Sequence, residues 1–185
     1  MNVRDAAAEH LEGITAIYNH AVEHTTAIWN DVTVDVANRA AWLTSRRETG
    51  YPVLVAVDEH NTVLGYASFG DWRAFDGYRY TVEHSVYVRS DQRGQGIGKT
   101  LMDALICRAQ ALGKHIMVAA IEANNKGSVR LHEKLGFVQV GHMKEVGTKF
   151  GVWLDLAFMQ LLLDTRPMPD QPSAGMQHTS HAFRP

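Results

Sequence analysis

Glycines alternate through Gly94-Gln95-Gly96-Ile97-Gly98, between an apolar run that ends at Val88 and a helical pattern carried by Leu101, Leu105, Ile106, Ala109 and Leu112. Each glycine costs conformational entropy on folding, so this cluster reads as a turn that needs unobstructed backbone. Beyond the helix, which Gly113 stops, Ile116 to Ile121 is continuously apolar, as expected of a strand covered on both faces. Strand, glycine-rich turn, helix and buried strand make a βαβ unit. At its turn, closely spaced amides and the helix dipole favour an anion, with a phosphate or pyrophosphate the natural guest.

Spacing separates the glycine motifs that compete for this turn. A Walker A loop ending in Gly98-Lys99-Thr100 needs glycine where the chain has Arg93, and a dinucleotide fingerprint begun at Gly94 needs glycine where it has Lys99. Arg93, Gly96 and Gly98 leave the pattern R-x-x-G-x-G. A glycine-rich connection with no ligand is the plain alternative, and the flanking Arg93 and Lys99 argue against it.

Around this unit the hydrophobic spacing predicts the remaining elements. Leu11, Ile14, Ile17, Tyr18, Ala21 and Val22 mark an amphipathic first helix ending near Thr25, and a second starts after Thr33 or Asp35 and stops at Gly50. Val53 to Val57 and Val63 to Phe69 read as an antiparallel hairpin. A strand from about Tyr80 to Val88, a helix from Ser128 to Leu135 and strands at Phe137 to Val140 and Trp153 to Leu163 complete the pattern. The order gives an α/β fold of the α+β kind, a mixed, mostly antiparallel central sheet with helices on both faces.

With 185 residues, 45% apolar and 21% charged, the chain is one soluble domain with enough apolar material for a core. A Pro-rich, polar composition begins at Thr165, so the domain is expected over 1–164 and a flexible tail over 165–185, with His178 and His181 solvated rather than ligating. A net charge of -2 supplies no field for nucleic acid. No run reaches the roughly 20 apolar residues of a membrane span, and the N-terminus lacks a signal segment, so no membrane partner and a cytoplasmic location are expected. The single cysteine, Cys107, reads as apolar filler and fits a reducing compartment; no metal site is expected. Trp29, Trp42 and Trp153 read as core.

The R-x-x-G-x-G turn resembles the pyrophosphate loop of the GNAT superfamily of acetyl-CoA-dependent N-acetyltransferases, and Asn125-Lys126-Gly127-Ser128 through Leu135-Gly136-Phe137 is similar to the superfamily's second motif. Tyr18-Asn19-His20, Gly70-Asp71-Trp72-Arg73, Thr81-Val82-Glu83-His84-Ser85-Val86-Tyr87-Val88 and Val146 to Gly151 resemble the phosphinothricin and methionine sulfoximine N-acetyltransferase family. The resemblance spans about 1 to 164 and implies a homodimer, the GNAT fold and acetyl-CoA as cosubstrate. It implies that the backbone of Val86, Tyr87 and Val88 takes the pantetheine arm as an added strand. Arg93, Gly94, Gln95, Gly96, Ile97, Gly98 and Lys99 would hold the pyrophosphate, with Asn125, Ser128 and Lys134 as further contacts.

An amine attacks a thioester only when unprotonated, so such a site must take up an ammonium proton and protonate or stabilise a thiolate. Glu83 is the expected proton acceptor, directly or through water, its pKa raised if the cleft is apolar. The resemblance implies His132 as the partner of the thiolate, since an imidazole can donate a proton near neutral pH. Arg73 would pair with an acceptor carboxylate, with Ala74 and Phe75 beside it, and the resemblance adds His84, Ser85 and Lys149 to the acceptor site. Successive strand residues point to opposite faces, so Glu83 and His84 are not expected both to face one cleft without a bulge. The oxyanion needs an N–H donor at Val86 or just beyond it.

These readings make the chain an acetyl-CoA-dependent N-acetyltransferase for the α-amino group of small amino acid analogues such as methionine sulfoximine, methionine sulfone or phosphinothricin. Two alternatives stay open at the level of sequence: another amine acceptor (a protein N-terminus, a lysine or an aminoglycoside), or a non-catalytic acetyl-CoA sensor.

Overall fold

The structure of the protein, a computed structural model, describes residues 1–171. Seven strands form one sheet in the order β1-β2-β3-β4-β5-β7-β6, where β1 is Asn2–Asp5, β2 Val53–Val57, β3 Val63–Asp71, β4 Thr81–Val88, β5 Ile116–Glu122, β6 Val138–Lys149 and β7 Val152–Leu162. Only β4 and β5 pair in parallel, and the βαβ crossover between them is the helix α3. The other neighbours are antiparallel.

Helices α1 (Leu11–His24) and α2 (Val36–Glu48) cover one face; α3 (Ile97–Ala111) and α4 (Lys126–Lys134) cover the other. Asp35 caps α2, its carboxylate accepting the Asn38 N–H at 2.8 Å, which decides between the two candidate caps. Strand alternation divides the core. Val53, Val55, Val57 and Tyr66 pack with Ile14, Ile17 and Leu43 on the first face, and Leu54, Ala67, Phe69, Val82 and Met117 pack with Leu101, Met102 and Leu105 on the second.

Several expectations need correction. The short edge strand β1 carries Arg4 and Asp5 with little burial, so hydrophobic alternation does not announce it. Strand β6 runs to Lys149 rather than Val140, as half of a long hairpin whose Phe150-Gly151 turn has positive φ at both residues. Its polar sequence and the irregular register between Met143 and Gly147 hide it. Trp153 is 68% exposed on this hairpin, Leu112 is exposed at the end of α3, and Cys107 lies on that helix's outer side; none is core. Trp42 does pack edge-on against Tyr66.

The part of the expected tail that is described lies on the fold. The Arg166 guanidinium donates to the Gly113 carbonyl and pairs with Asp164, and Asp170 accepts from Tyr80 at 3.1 Å. The remainder, 172–185 with His178 and His181, lies outside the described residues. No described helix is long and apolar enough to cross a membrane.

Candidate active site

Strands β4 and β5 part soon after they meet. Their pairing covers only Thr81–Glu83 against Ile116–Val118, beyond which β5 continues along β7 and β4 along β3. The resulting slot opens into a cleft of about 1520 Å³ lined by residues 83–88 of β4, 119–122 of β5, the glycine turn and the start of α4. Main-chain alternation aims β4 into it. The Arg89 N–H bonds β3 at Leu64, whereas the Tyr80 carbonyl accepts from the β5 side, so the N–H and C=O groups of Val86 and Val88 point into the slot with β5 gone.

At one end of the slot Gly94 and Gly96 adopt φ of 79° and 82°, and a Cβ on either would meet open space. Left-handed backbone, not crowding, requires glycine there. Gly96 caps α3, so the helix's first amides face the cleft. Gly98 serves differently, since a Cβ would come within 3.3 Å of Leu131 on α4. The Ile97 side chain is buried in the core, which leaves its backbone for a ligand, and the Lys99 ammonium pairs with Asp103 at 2.7 Å. An amide-lined anion site continuous with an unpaired strand edge suits the pyrophosphate and the peptide-like arm of acetyl-CoA.

The sheet splits the reactive side chains between its faces. Glu83, Ser85 and Tyr87 pair across to Gly70, Ser68 and Tyr66 and look toward α1 and α2; His84 and Val86 look toward α3 and α4. Because the cleft is a slot through the sheet, both sets line it. Burial raises the Glu83 carboxyl above its usual range, opposed more weakly by the Arg73 guanidinium. On the other side the His84 and His132 rings lie Nε2 to Nε2 at 3.1 Å, stacked at a centroid separation of 5.0 Å, with Phe137 edge-on to both. The His132 Nδ1 donates to the Ser128 carbonyl at 2.7 Å. Burial lowers both imidazoles, His84 to about 3 with help from the charge of His132.

The family model described as Acetyltransferase (GNAT) family matches residues 14–137. The chain belongs to the GNAT family of acetyltransferases. Within this family it is 61% identical to the L-methionine sulfoximine/L-methionine sulfone acetyltransferase of Pseudomonas aeruginosa, over 91% of this chain and 98% of that one. The phosphinothricin N-acetyltransferase of Alcaligenes faecalis is 39% identical, over 85% of this chain and 80% of that one. A solved acetyltransferase of Salmonella typhimurium with its cofactor acetyl-CoA superposes with a TM-score of 0.89 at 57% identity, covering 91% and 97% of the two chains.

In this GNAT chain the cleft brings together Glu83, His84, Ser85, Val86, Tyr87, Val88, Arg93, Gly94, Gly96, Ile97, Gly98, Lys99, Asn125, Ser128, His132 and Lys134. The Asn125 side-chain oxygen Oδ1 caps α4 by accepting the Ser128 N–H at 3.1 Å. Gln95, Arg73, Ala74, Phe75 and Lys149 lie off its wall. Arg73 stacks on Trp72 at 4.2 Å, and Phe75 is 76% exposed. The Lys149 side chain is buried, its ammonium donating to the carbonyls of Val22 and Ile28, so it ties the β6–β7 turn to the end of α1 while its neighbour Phe150 lines the cleft.

Sequence reasoning missed part of the wall. Trp29, read as core, lines the cleft and packs so closely on Gly147 that a Cβ there would lie 2.1 Å from its ring. Glu122 lines it too, its carboxylate accepting from Thr26 Oγ1 at 3.1 Å and from the Asn124 N–H at 2.8 Å. A carboxylate ending the apolar run of β5 was the available signal for Glu122. His20 and His24, stacked one helical turn apart on α1, line the cleft as well; His20 falls in the family-like segment Tyr18-Asn19-His20, whereas His24 sits in a sequence that packing already explains.

Proposed function

We propose that this GNAT chain transfers the acetyl group of acetyl-CoA to the α-amino group of a small amino acid analogue of the methionine sulfoximine, methionine sulfone or phosphinothricin type. The observation that carries this reading is the slot, which joins an amide-lined anion site and a free strand edge to a half-buried carboxylate held above its usual pKa. The 61% identity to a methionine sulfoximine/sulfone acetyltransferase supports the acceptor class.

Bound acetyl-CoA supplies a thioester, an acyl donor that a neutral amine can attack. Gly94 to Lys99 hold its pyrophosphate through backbone amides, the edge of Val86 to Val88 aligns the arm, and the Val86 N–H faces the developing oxyanion. Arg93, Gln95, Asn125, Ser128 and Lys134 add polar contacts. Glu83 takes the ammonium proton, directly or through water, and His132 serves the departing sulfur from the opposite face of the sheet. Arg73 meets the acceptor's carboxylate, with Ala74, Phe75, His84 and Ser85 around it. Lys149 acts on the acceptor indirectly, by fixing the turn that presents Phe150.

We also propose a cytoplasmic homodimer. Val138, Val140, Val152, Trp153 and Leu162 leave exposed apolar area on the β6–β7 hairpin, which a second copy would cover.

A panel of amines assayed for thiol release tests the acceptor class. Methionine sulfone and methionine sulfoximine should turn over with far higher kcat/KM than aminoglycosides, lysine or N-terminal peptides. A preference for any of the latter would overturn the reading.

A further inference from the structure

The two cleft histidines occupy one another. A carbonyl oxygen only accepts, so the bond to Ser128 requires the hydrogen of His132 on Nδ1 and leaves the lone pair of the neutral ring on Nε2. Facing it at 3.1 Å, His84 Nε2 must then be the donor, which leaves His84 Nδ1 bare. That nitrogen is buried and has no partner among the described residues. A bare acceptor there is cheaper than an unpaired N–H, and both ways of adding a proton to the pair put a hydrogen on it: directly, or by tautomer reversal when His132 becomes an imidazolium.

We propose that His84 is a positioning residue that holds His132 as a neutral ring, hydrogen on Nδ1 and lone pair on Nε2, so that His132 enters turnover as a proton carrier rather than as a preformed acid. This rests on the acetyltransferase reading above. Once Glu83 has taken the first ammonium proton and the N–C bond has formed, the acceptor nitrogen still carries an excess proton. His132 Nε2, released by His84, takes it as the N–H bond breaks and gives it to sulfur as the C–S bond breaks. The ring returns to neutral, the Glu83 proton goes to solvent, and the products are amide and thiol, with no other reactant needed.

Among the described residues, no other charged group bears on the pair. His84 feels burial and the charge of His132; His132 feels burial and the Ser128 carbonyl. Phe137 packs edge-on against both rings, and the core on this side of the sheet, with Leu101, Met102, Leu105, Ala119 and Ile121, is apolar. Glu83, next in sequence, looks to the other face of the sheet.

Ring-nitrogen NMR on the full chain labelled at histidine tests this without any substrate, with assignments from His132→Gln and His84→Ala. In the wild type His132 should be neutral with its hydrogen on Nδ1 at pH 7, and its midpoint should lie below the ordinary imidazole value of about 6.5. In His84→Ala its midpoint should rise toward that value and kcat/KM should gain an acidic limb there. In His84→Gln, where an amide N–H can donate to Nε2, the wild-type profile should return. A wild-type His132 that is protonated at pH 7 or carries its hydrogen on Nε2 overturns the proposal, and so does an unchanged midpoint in a folded His84→Ala. If the tautomer is as stated and no amine is acetylated, the acetyltransferase reading fails and the positioning role of His84 stands.

Discussion

Glu83 stands in β4 opposite Gly70, turned toward α1 and α2, where burial favours its protonated form and Arg73 partly restores the charged one. A base works only when deprotonated, so kcat/KM should rise with pH through a midpoint above the ordinary carboxylate range. Glu83→Gln should lower kcat by about 10²- to 10⁴-fold, the usual share of general-base catalysis, and remove that dependence. Gly147 makes a different kind of prediction. With Trp29 where a side chain would go, Gly147→Ala must displace the ring, which should raise KM for the acceptor more than for acetyl-CoA and cost about 1–3 kcal/mol in thermal unfolding. At this scale period alone placed Glu83 and His84 on opposite faces, though both line one cleft without a bulge, against expectation, because that cleft is a slot through the sheet; to that extent the sequence was legible. The partner of His84 was not, because it depends on how α4 sits against β4, 48 residues away. The burial of Lys149 against carbonyls of α1 and its loop was hidden for the same reason.

The glycine turn shows how much an element can reveal by itself. Its spacing excluded two other phosphate-binding loops, and the backbone has the left-handed residues that such spacing implies. Gly96→Ala should cost about 1–2 kcal/mol, the penalty of the left-handed region for an L-residue, and weaken acetyl-CoA binding measured by calorimetry while leaving acceptor KM nearly unchanged. The slot beside the turn could not be read in advance. It exists because β5 leaves β4 after Val118 and stays paired with β7, a matter of register among strands far apart in sequence. Edge strand β1 and the continuation of β6 beyond Val140 escaped for a related reason: hydrophobic alternation reports burial, and these stretches bury little.

The molecule as a whole carries the cost of its buried imidazoles. His84 in the native state is held at about 3, whereas in the unfolded chain it titrates near the ordinary value, so between those limits the unfolded state binds more protons. Stability should therefore fall as pH falls from about 6.5, by up to about 1.4 kcal/mol per pH unit from this residue alone. Denaturant melts of the wild type and His84→Gln should diverge in slope over that window. Equilibrium sedimentation should find a dimer that Trp153→Asp weakens, since a carboxylate would then face the apolar hairpin of the second copy. The central claim, that the slot is an acetyltransferase site with Glu83 as its base, is tested most directly by thiol release from acetyl-CoA with methionine sulfone across pH, in the wild type and Glu83→Gln. The expected result is saturable turnover that climbs with pH in the wild type and falls at least about 100-fold in the variant. Equal rates in the two proteins, or no acetylated amine in either, would contradict it.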